Sequence, residues 1–205
     1  MNPALVHVID DDGAVRNALS RLLRCAGFEV RAYGSAVEFL VAERDDRPGC
    51  VVLDVGLPGM SGVELQAAMA RKESSPPIVF LTGRGSVDMS VRAMKAGAVD
   101  FLTKPVKREA LLCAVESALA CDMKARARSE QTRAARARFE KLTPREREVL
   151  AEVVRGRLNK QIADDLGTSV RTVKAHRAQV MAKMEVGSLA VLVNVATKLD
   201  DGGSI

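Results

Sequence analysis

Five short apolar runs, each followed by a stretch with helical spacing, constrain this chain more than any other feature. The runs are LVHVID (5–10), EVRAY (29–33), CVVLDV (50–55), PIVFLT (77–82) and DFLTKP (100–105). Three of them are continuous in Val, Ile, Leu and Phe, the pattern of strands covered on both faces. The segments 14–26, 36–42, 62–71, 87–96 and 108 onward read as helices, and Gly27 and Gly97 stand where a helix is expected to stop. Five such βα units predict an α/β fold with a doubly wound, five-stranded parallel sheet. In that architecture a functional site lies at the carboxyl ends of the strands.

The remainder reads as helices only. From 107 to 139 no strong breaker occurs, and the segment is rich in Ala, Arg, Glu and Leu. Its apolar stripe (Leu111, Leu112, Val115, Ala118, Leu119) fades into Arg126, Arg128, Arg133, Arg136 and Arg138. The first half is predicted to be the last helix of the sheet domain and the second a solvated helical linker. Sustained heptads are absent, which argues against an independent coiled coil. Four more helices are expected. Thr143-Pro144 with Glu146 marks a capped start, NKQIADDLG stops at Gly167, VRTVKAHRAQVMAKM is capped by Ser169, and SLAVLVNVATKL follows. The expected division is a sheet domain over 1–120, a helical linker over 121–139 and an all-α domain over 140–205.

Charge follows this division. Residues 1 to 120 carry 14 Lys and Arg against 15 Asp and Glu, and residues 121 to 205 carry 17 against 11. A basic half beside a neutral one points to a polyanionic partner. No apolar run approaches the roughly 18 residues of a membrane span, and the N-terminus lacks a basic segment followed by an apolar one, so a cytoplasmic location is expected. Cys25, Cys50, Cys113 and Cys121 show no CxxC spacing, and there are two His, so a zinc site is disfavoured and reduced thiols are expected.

The strand ends carry the chemistry. Asp10 and Asp11 follow the first strand, Asp54 the third, Thr82 the fourth and Lys104 the fifth. In a doubly wound sheet these ends converge. Clustered carboxylates need a cation to stay ionised, and hard oxygen ligands with open positions suit Mg²⁺. A metal, an ammonium and a hydroxyl are what phosphoryl transfer to a carboxylate requires, with the central Asp54 as nucleophile. Any one of these residues alone reads as a loop acid or a surface lysine. Their joint placement at the strand ends does not.

The motifs VIDDDGAVR, LDVGLPGMSG, LTGRG and AVDFLTKP resemble those of bacterial receiver domains in order and spacing over about 120 residues. The resemblance implies that Asp54 accepts phosphate from a sensor histidine kinase. It implies Mg²⁺ held by Asp11, Asp54 and the Gly56 carbonyl, with Asp10 acting partly through water. It also implies a cis Lys104–Pro105 peptide and a switch pair of Thr82 and Phe101. Gly56 offers no side chain to shield a phosphate, and Arg84 is placed to reach over it. A haloacid-dehalogenase-like phosphatase uses similar residues but needs a second acid at the position of Gly56, so enzymatic turnover is not expected. A degenerate receiver is disfavoured because the acceptor-site residues are all present.

The stretch 158–177, LNKQIADDLGTSVRTVKAHR, has the layout of a helix-turn-helix. Ile162, Ala163 and Leu166 pack one helix, and Val170, Val173 and Val180 the next. Arg171, Lys174, Arg177 and Ala178 lie on the latter's other face, where basic side chains reach base edges and phosphates. On pattern alone a small helical packing domain with a solvated basic face fits equally well. LTPREREVL, GRLNKQIADDLG and RTVKAHRAQVMAKM resemble the LuxR-type four-helix domain of FixJ/NarL-like regulators. That resemblance implies DNA contacts by Asn159, Lys160, Arg171, Thr172, Lys174, Ala175, Arg177 and Ala178. Gln161, where Glu is usual, and Ala175, where a larger apolar residue is common, depart from the family pattern. His176 is read as a phosphate contact, a helix-packing residue or a residue on a dimer side, and His7, inside the first strand, as structural. Together the resemblances imply a phosphorylation-dependent, sequence-specific transcriptional regulator that pairs with a second copy on phosphorylation. DNA and a histidine kinase are its expected partners, RNA polymerase is a further candidate, and no membrane is involved.

Overall fold

A computed structural model describes residues 4–43, 45–71, 75–83 and 87–200. The chain divides into two compact units, Met1–Ala125 and Arg126–Ile205.

The first unit contains β1 (Leu5–Ile9), α1 (Gly13–Cys25), β2 (Glu29–Tyr33), α2 (Ala36–Val41), β3 (Gly49–Asp54), α3 (Gly62–Ala70), β4 (Ile78–Thr82), α4 (Val87–Lys95), β5 (Asp100–Thr103) and the start of α5 (Arg108–Glu140). The strands form one parallel sheet in the order β2-β1-β3-β4-β5. Strand order reverses between β1 and β3, and Asp10 and Asp54 stand at the carboxyl ends of those two strands, where a doubly wound sheet opens its crevice. β1, β3 and β4 are buried along their whole length, which is why their sequences lack alternation. The pleat divides their side chains between two layers. Val6, Val8, Val52 and Leu81 pack with Leu19 and Leu23 of α1 and Leu111 and Val115 of α5. Ile9, Val51, Leu53 and Phe80 pack with Leu65 and Met69 of α3.

Local chemistry sets the helix starts. The Asp12 carboxylate accepts from the Ala14 and Val15 N–H groups and caps α1. Ser61 and Glu64 form a capping box on α3. Gly62 is required at the next position, because a Cβ there would stand 2.5 Å from the Asp54 carbonyl oxygen. This close approach seats α3 directly beneath the end of β3.

α5 runs unbroken for 33 residues. Its stripe Leu111, Ala114, Val115 and Ala118 is buried in the first unit, and so is Asp122, whose carboxylate accepts from the Gly49 N–H at 3.0 Å. Ala135 and Phe139 are buried in the core of the second unit. The segment 121–139, expected to be solvated, is therefore helical throughout but contributes buried residues at both ends.

The second unit adds α6 (Pro144–Val154), α7 (Asn159–Asp165), α8 (Val170–Met184) and α9 (Leu189–Asp200). Val149, Leu150, Ile162, Ala163, Val173, Val180, Met184, Leu192 and Ala196 form its core. Thr143 and Glu146 make the expected capping box, and Lys183 of α8 donates to Glu146 at 2.7 Å. Val170 departs from expectation. It is exposed, because the first residue of α8 precedes the turns that face the core. Among the described residues no single helix is long and apolar enough to cross a membrane.

Candidate functional site

The last residues of two strands and the residues directly after two others meet at the carboxyl edge of the sheet. Asp10 directly follows β1, Asp54 ends β3 and Thr82 ends β4, and all three are buried. Lys104 directly follows β5, and its ammonium lies 2.7 Å from both Asp10 Oδ2 and Asp54 Oδ1. The Lys104 N–H donates to the Thr82 carbonyl at 2.7 Å, which ties the ends of β4 and β5 together. The remaining carboxylate oxygens are held by backbone: Asp10 Oδ1 accepts from Asp12 N–H at 3.0 Å and Asp54 Oδ2 from Gly56 N–H at 2.8 Å. The Lys104–Pro105 peptide is cis.

Burial raises the Asp10 pKa above its ordinary value, and the Lys104 hydrogen bond only partly offsets this. Burial works against the Lys104 charge as well, but its bonds to Asp10 and Asp54 outweigh it and raise the lysine pKa. A further cation would relieve the carboxylates.

Not every expected ligand is drawn in. Asp11 is exposed, and among the described residues no three His, Cys, Asp or Glu side chains form a group that could hold a metal ion. Of the three expected acidic ligands, Asp10 and Asp54 stand together. The donor chemistry still suits Mg²⁺. The two buried carboxylates offer hard oxygens, each holding one hydrogen bond with a lone pair to spare, and a single ammonium serves both. Phe101 is half-buried, with its ring centroid 6.0 Å from that of Phe80. A Cβ on Gly56 would come within 3.3 Å of Asp54 Oδ2, so a larger residue would press on the carboxylate. Arg84 lies outside the described residues.

Arg16 was not anticipated. Its guanidinium donates to the Asp10 carbonyl at 2.6 Å and to the Asp11 carbonyl at 3.3 Å, holding the β1–α1 loop. The only signal in the sequence is its place one helical turn past the Asp12 cap.

In the second unit, Arg171, Lys174, Ala175 and Ala178 are exposed on α8, and their spacing puts them on one face. Lys160 is exposed on α7. Thr172 serves the helix start, with its hydroxyl 2.8 Å from Ser169 Oγ. Arg177 and Asn159 hydrogen-bond to each other, so α7 orients this arginine. Arg145 donates to the Leu166 carbonyl and pins the turn between α7 and α8, a contact the sequence did not reveal. His176 is half-buried.

Comparison with known proteins agrees with both units. Residues 6–116 match the family described as response regulator receiver domain, and residues 140–196 match the bacterial regulatory proteins of the luxR family. Nodulation protein W of Bradyrhizobium diazoefficiens is 45% identical over 196 residues, which cover 96% of this chain and 86% of that protein. The transcriptional regulatory protein FixJ of Rhizobium meliloti is 44% identical over 196 residues, 96% of each chain. The solved structure of the response regulator StyR is similar over 96% of this chain and 99% of that one, with 46% identity and a TM-score of 0.80. With a receiver domain at its N-terminal end and a luxR-family domain at its C-terminal end, this chain belongs to the response regulators that act as transcriptional regulators.

Proposed function

We propose that Asp54 is the phosphoacceptor and that its phosphorylation controls dimerisation and sequence-specific DNA binding by the second unit. The observation that carries this reading is the single ammonium of Lys104 shared between buried Asp10 and Asp54 at 2.7 Å. One ammonium between two carboxylates leaves the pair short of positive charge. An Asp54 carboxylate oxygen attacks the phosphorus of a phosphohistidine on a sensor kinase, and the bond from phosphorus to the imidazole nitrogen breaks. Lys104 then neutralises an oxygen of the transferred group, and the Thr82 hydroxyl donates to another. Asp10, Asp11, Asp54 and the Gly56 carbonyl would hold Mg²⁺, which supplies charge neutralisation at the phosphoryl oxygens when bound. Thr82, drawn toward the phosphate, vacates space into which Phe101 turns, reshaping the face that α4 and β5 present.

On the second unit, Arg171, Lys174, Ala175 and Ala178 would meet base edges. Asn159, Lys160, Thr172 and Arg177 would hold the phosphates or orient neighbours. The functional division is a receiver over 1–120, a helical connection over 121–139 and a DNA-binding domain over 140–205. The protein acts in the cytoplasm as a regulator rather than as an enzyme, with RNA polymerase as a further partner. Acetyl phosphate with Mg²⁺, followed by intact mass, tests the central step. One phosphoryl group, about 80 Da, should appear on the natural chain and not on Asp54→Asn. Equal labelling of both would move the acceptor elsewhere.

A further inference from the structure

We infer that Arg16 is a positioning residue of the phosphoryl-transfer site: it fixes the backbone on both sides of Asp11 and so sets the direction in which that carboxylate is offered to Mg²⁺. This deepens the proposed function and rests on its assignment of Asp11 as a metal ligand.

A residue has only two soft backbone dihedrals, so the two peptide planes that flank its Cα determine where its Cβ points. For Asp11 these are the Asp10–Asp11 peptide, which carries the Asp10 carbonyl, and the Asp11–Asp12 peptide, which carries the Asp11 carbonyl. A single nitrogen, Nη1 of Arg16, donates to both carbonyls, at 2.6 and 3.3 Å. The second plane is held at its other edge as well, where the Asp12 N–H donates to Asp10 Oδ1 at 3.0 Å. The Asp11 Cα thus lies between two tethered peptides. Its carboxylate is exposed, and among the described residues no hydrogen bond or ion pair holds it. Backbone is then the means by which the fold aims it.

Arg16 is itself held. It stands one turn into α1, its N–H donates to the Asp12 carbonyl at 2.9 Å, and its carbonyl accepts from the buried Ser20 hydroxyl at 2.7 Å. Its guanidinium lies between two glycines: a Cβ on Gly13 would stand 3.6 Å from Nη2, and one on Gly34 3.8 Å from Nη1. Two effects of this group oppose each other at a divalent cation. Its charge repels the ion, whereas its hydrogen bonds spare the ion the ordering of Asp11. The charge is half-exposed, so water and salt screen it. Ordering the backbone of one residue corresponds to about a tenfold change in affinity. Positioning therefore outweighs repulsion.

Mg²⁺ alone, titrated into the unphosphorylated full-length chain and followed by the NMR shifts of amides at the carboxyl ends of β1 and β3, tests this. Arg16→Met should weaken Mg²⁺ binding about tenfold in the natural chain. In an Asp11→Asn chain the same change should cost about twofold or less, because no carboxylate is left to aim. Arg16→Lys keeps the charge but ends one bond short of Nη1. It should weaken binding too, and it decides the question if Arg16→Met fails to fold. Unchanged or tighter binding in either variant would overturn the proposal, as would an equal loss from Arg16→Met with and without Asp11. If Asp11→Asn alone leaves Mg²⁺ affinity unchanged, the ligand assignment fails and the role of Arg16 fails with it. A loss from Asp11→Asn without coupling to Arg16 removes only the role of Arg16.

Discussion

His7 sits inside β1, 9% exposed, with Nδ1 3.2 Å from the Tyr33 hydroxyl and its ring against Tyr33 and Phe39. Burial first, then the nearby Arg31, lowers its pKa to about 4. The folded protein thus keeps His7 neutral where the unfolded chain, titrating near 6.5, takes up a proton. Its contribution to stability is complete above about pH 6.5 and is lost as the pH falls toward 4, by roughly 3 kcal/mol at most. Urea unfolding at pH 7 and pH 4.5 should show a smaller loss for His7→Phe than for the natural chain. An identical loss in both would mean that other groups set the acid sensitivity. The placement of Asp10, Asp54, Thr82 and Lys104 was legible because strand ends are legible in an alternating β/α sequence, and that of His7 because it falls within a mainly apolar run. Arg16 was not, because it works through backbone carbonyls, which leave no mark in side-chain patterning. The exposure of Asp11 was likewise beyond reach, since adjacent residues at a strand end turn to different sides.

At the scale of elements, two contacts decide how helices seat. Gly62 places α3 against the carbonyl of Asp54. Gly62→Ala should destabilise the first unit by about 1–3 kcal/mol, as overpacking does, and should slow acceptance of phosphate because the end of β3 must shift. Denaturant midpoints and labelling rates measure both effects, and an unchanged midpoint would show that α3 can simply move aside. Glu146 joins the start of α6 to α8 through Thr143 and Lys183, and the Lys183 bond holds its carboxyl below the usual range. Glu146→Ala should cost the second unit about 1–3 kcal/mol. Hydrogen exchange should then speed up in α6 and α8 while β1, β3 and β4 keep their protection. Equal acceleration everywhere would contradict a local role. The capping box was legible from Thr143-Pro144-Arg145-Glu146, but its partner 37 residues further on was not. Val170 was misjudged because periodicity counts it with Val173, whereas packing excludes the first residue of a helix. The burial of Ala135 and Phe139, spaced one turn apart, was obscured by the arginines around them.

For the whole molecule, the proposed switch makes a quantitative demand. Phosphorylation can favour pairing only by its differential affinity for the paired state, typically 1–3 kcal/mol or about 5–150-fold. Sedimentation of the chain with and without acetyl phosphate and Mg²⁺ should show dimer appearing at correspondingly lower concentration. If both samples remain monomeric, pairing is not the output. Lys174→Ala should lower specific affinity by about 1–3 kcal/mol, while Lys160→Ala should weaken all DNA binding and reduce the salt slope by about one. Unchanged footprints for Lys174→Ala would move base reading off α8. The division into a sheet unit and a helical unit was legible from the change of periodicity near residue 107, but the extent of each was not, because α5 carries no breaker. That unbroken helix bears on how such a chain can be cut. Residues 121–139 hold Lys124, Arg126, Arg128, Arg133, Arg136 and Arg138, six sites for trypsin, yet a protease must open its substrate into an extended strand before cleaving. Fragments separating the two units should therefore appear slowly under native conditions. A cut after Arg136 or Arg138 removes Ala135 from the core of the second unit, whereas a cut after Lys124, Arg126, Arg128 or Arg133 leaves the buried residues of each core on its own fragment.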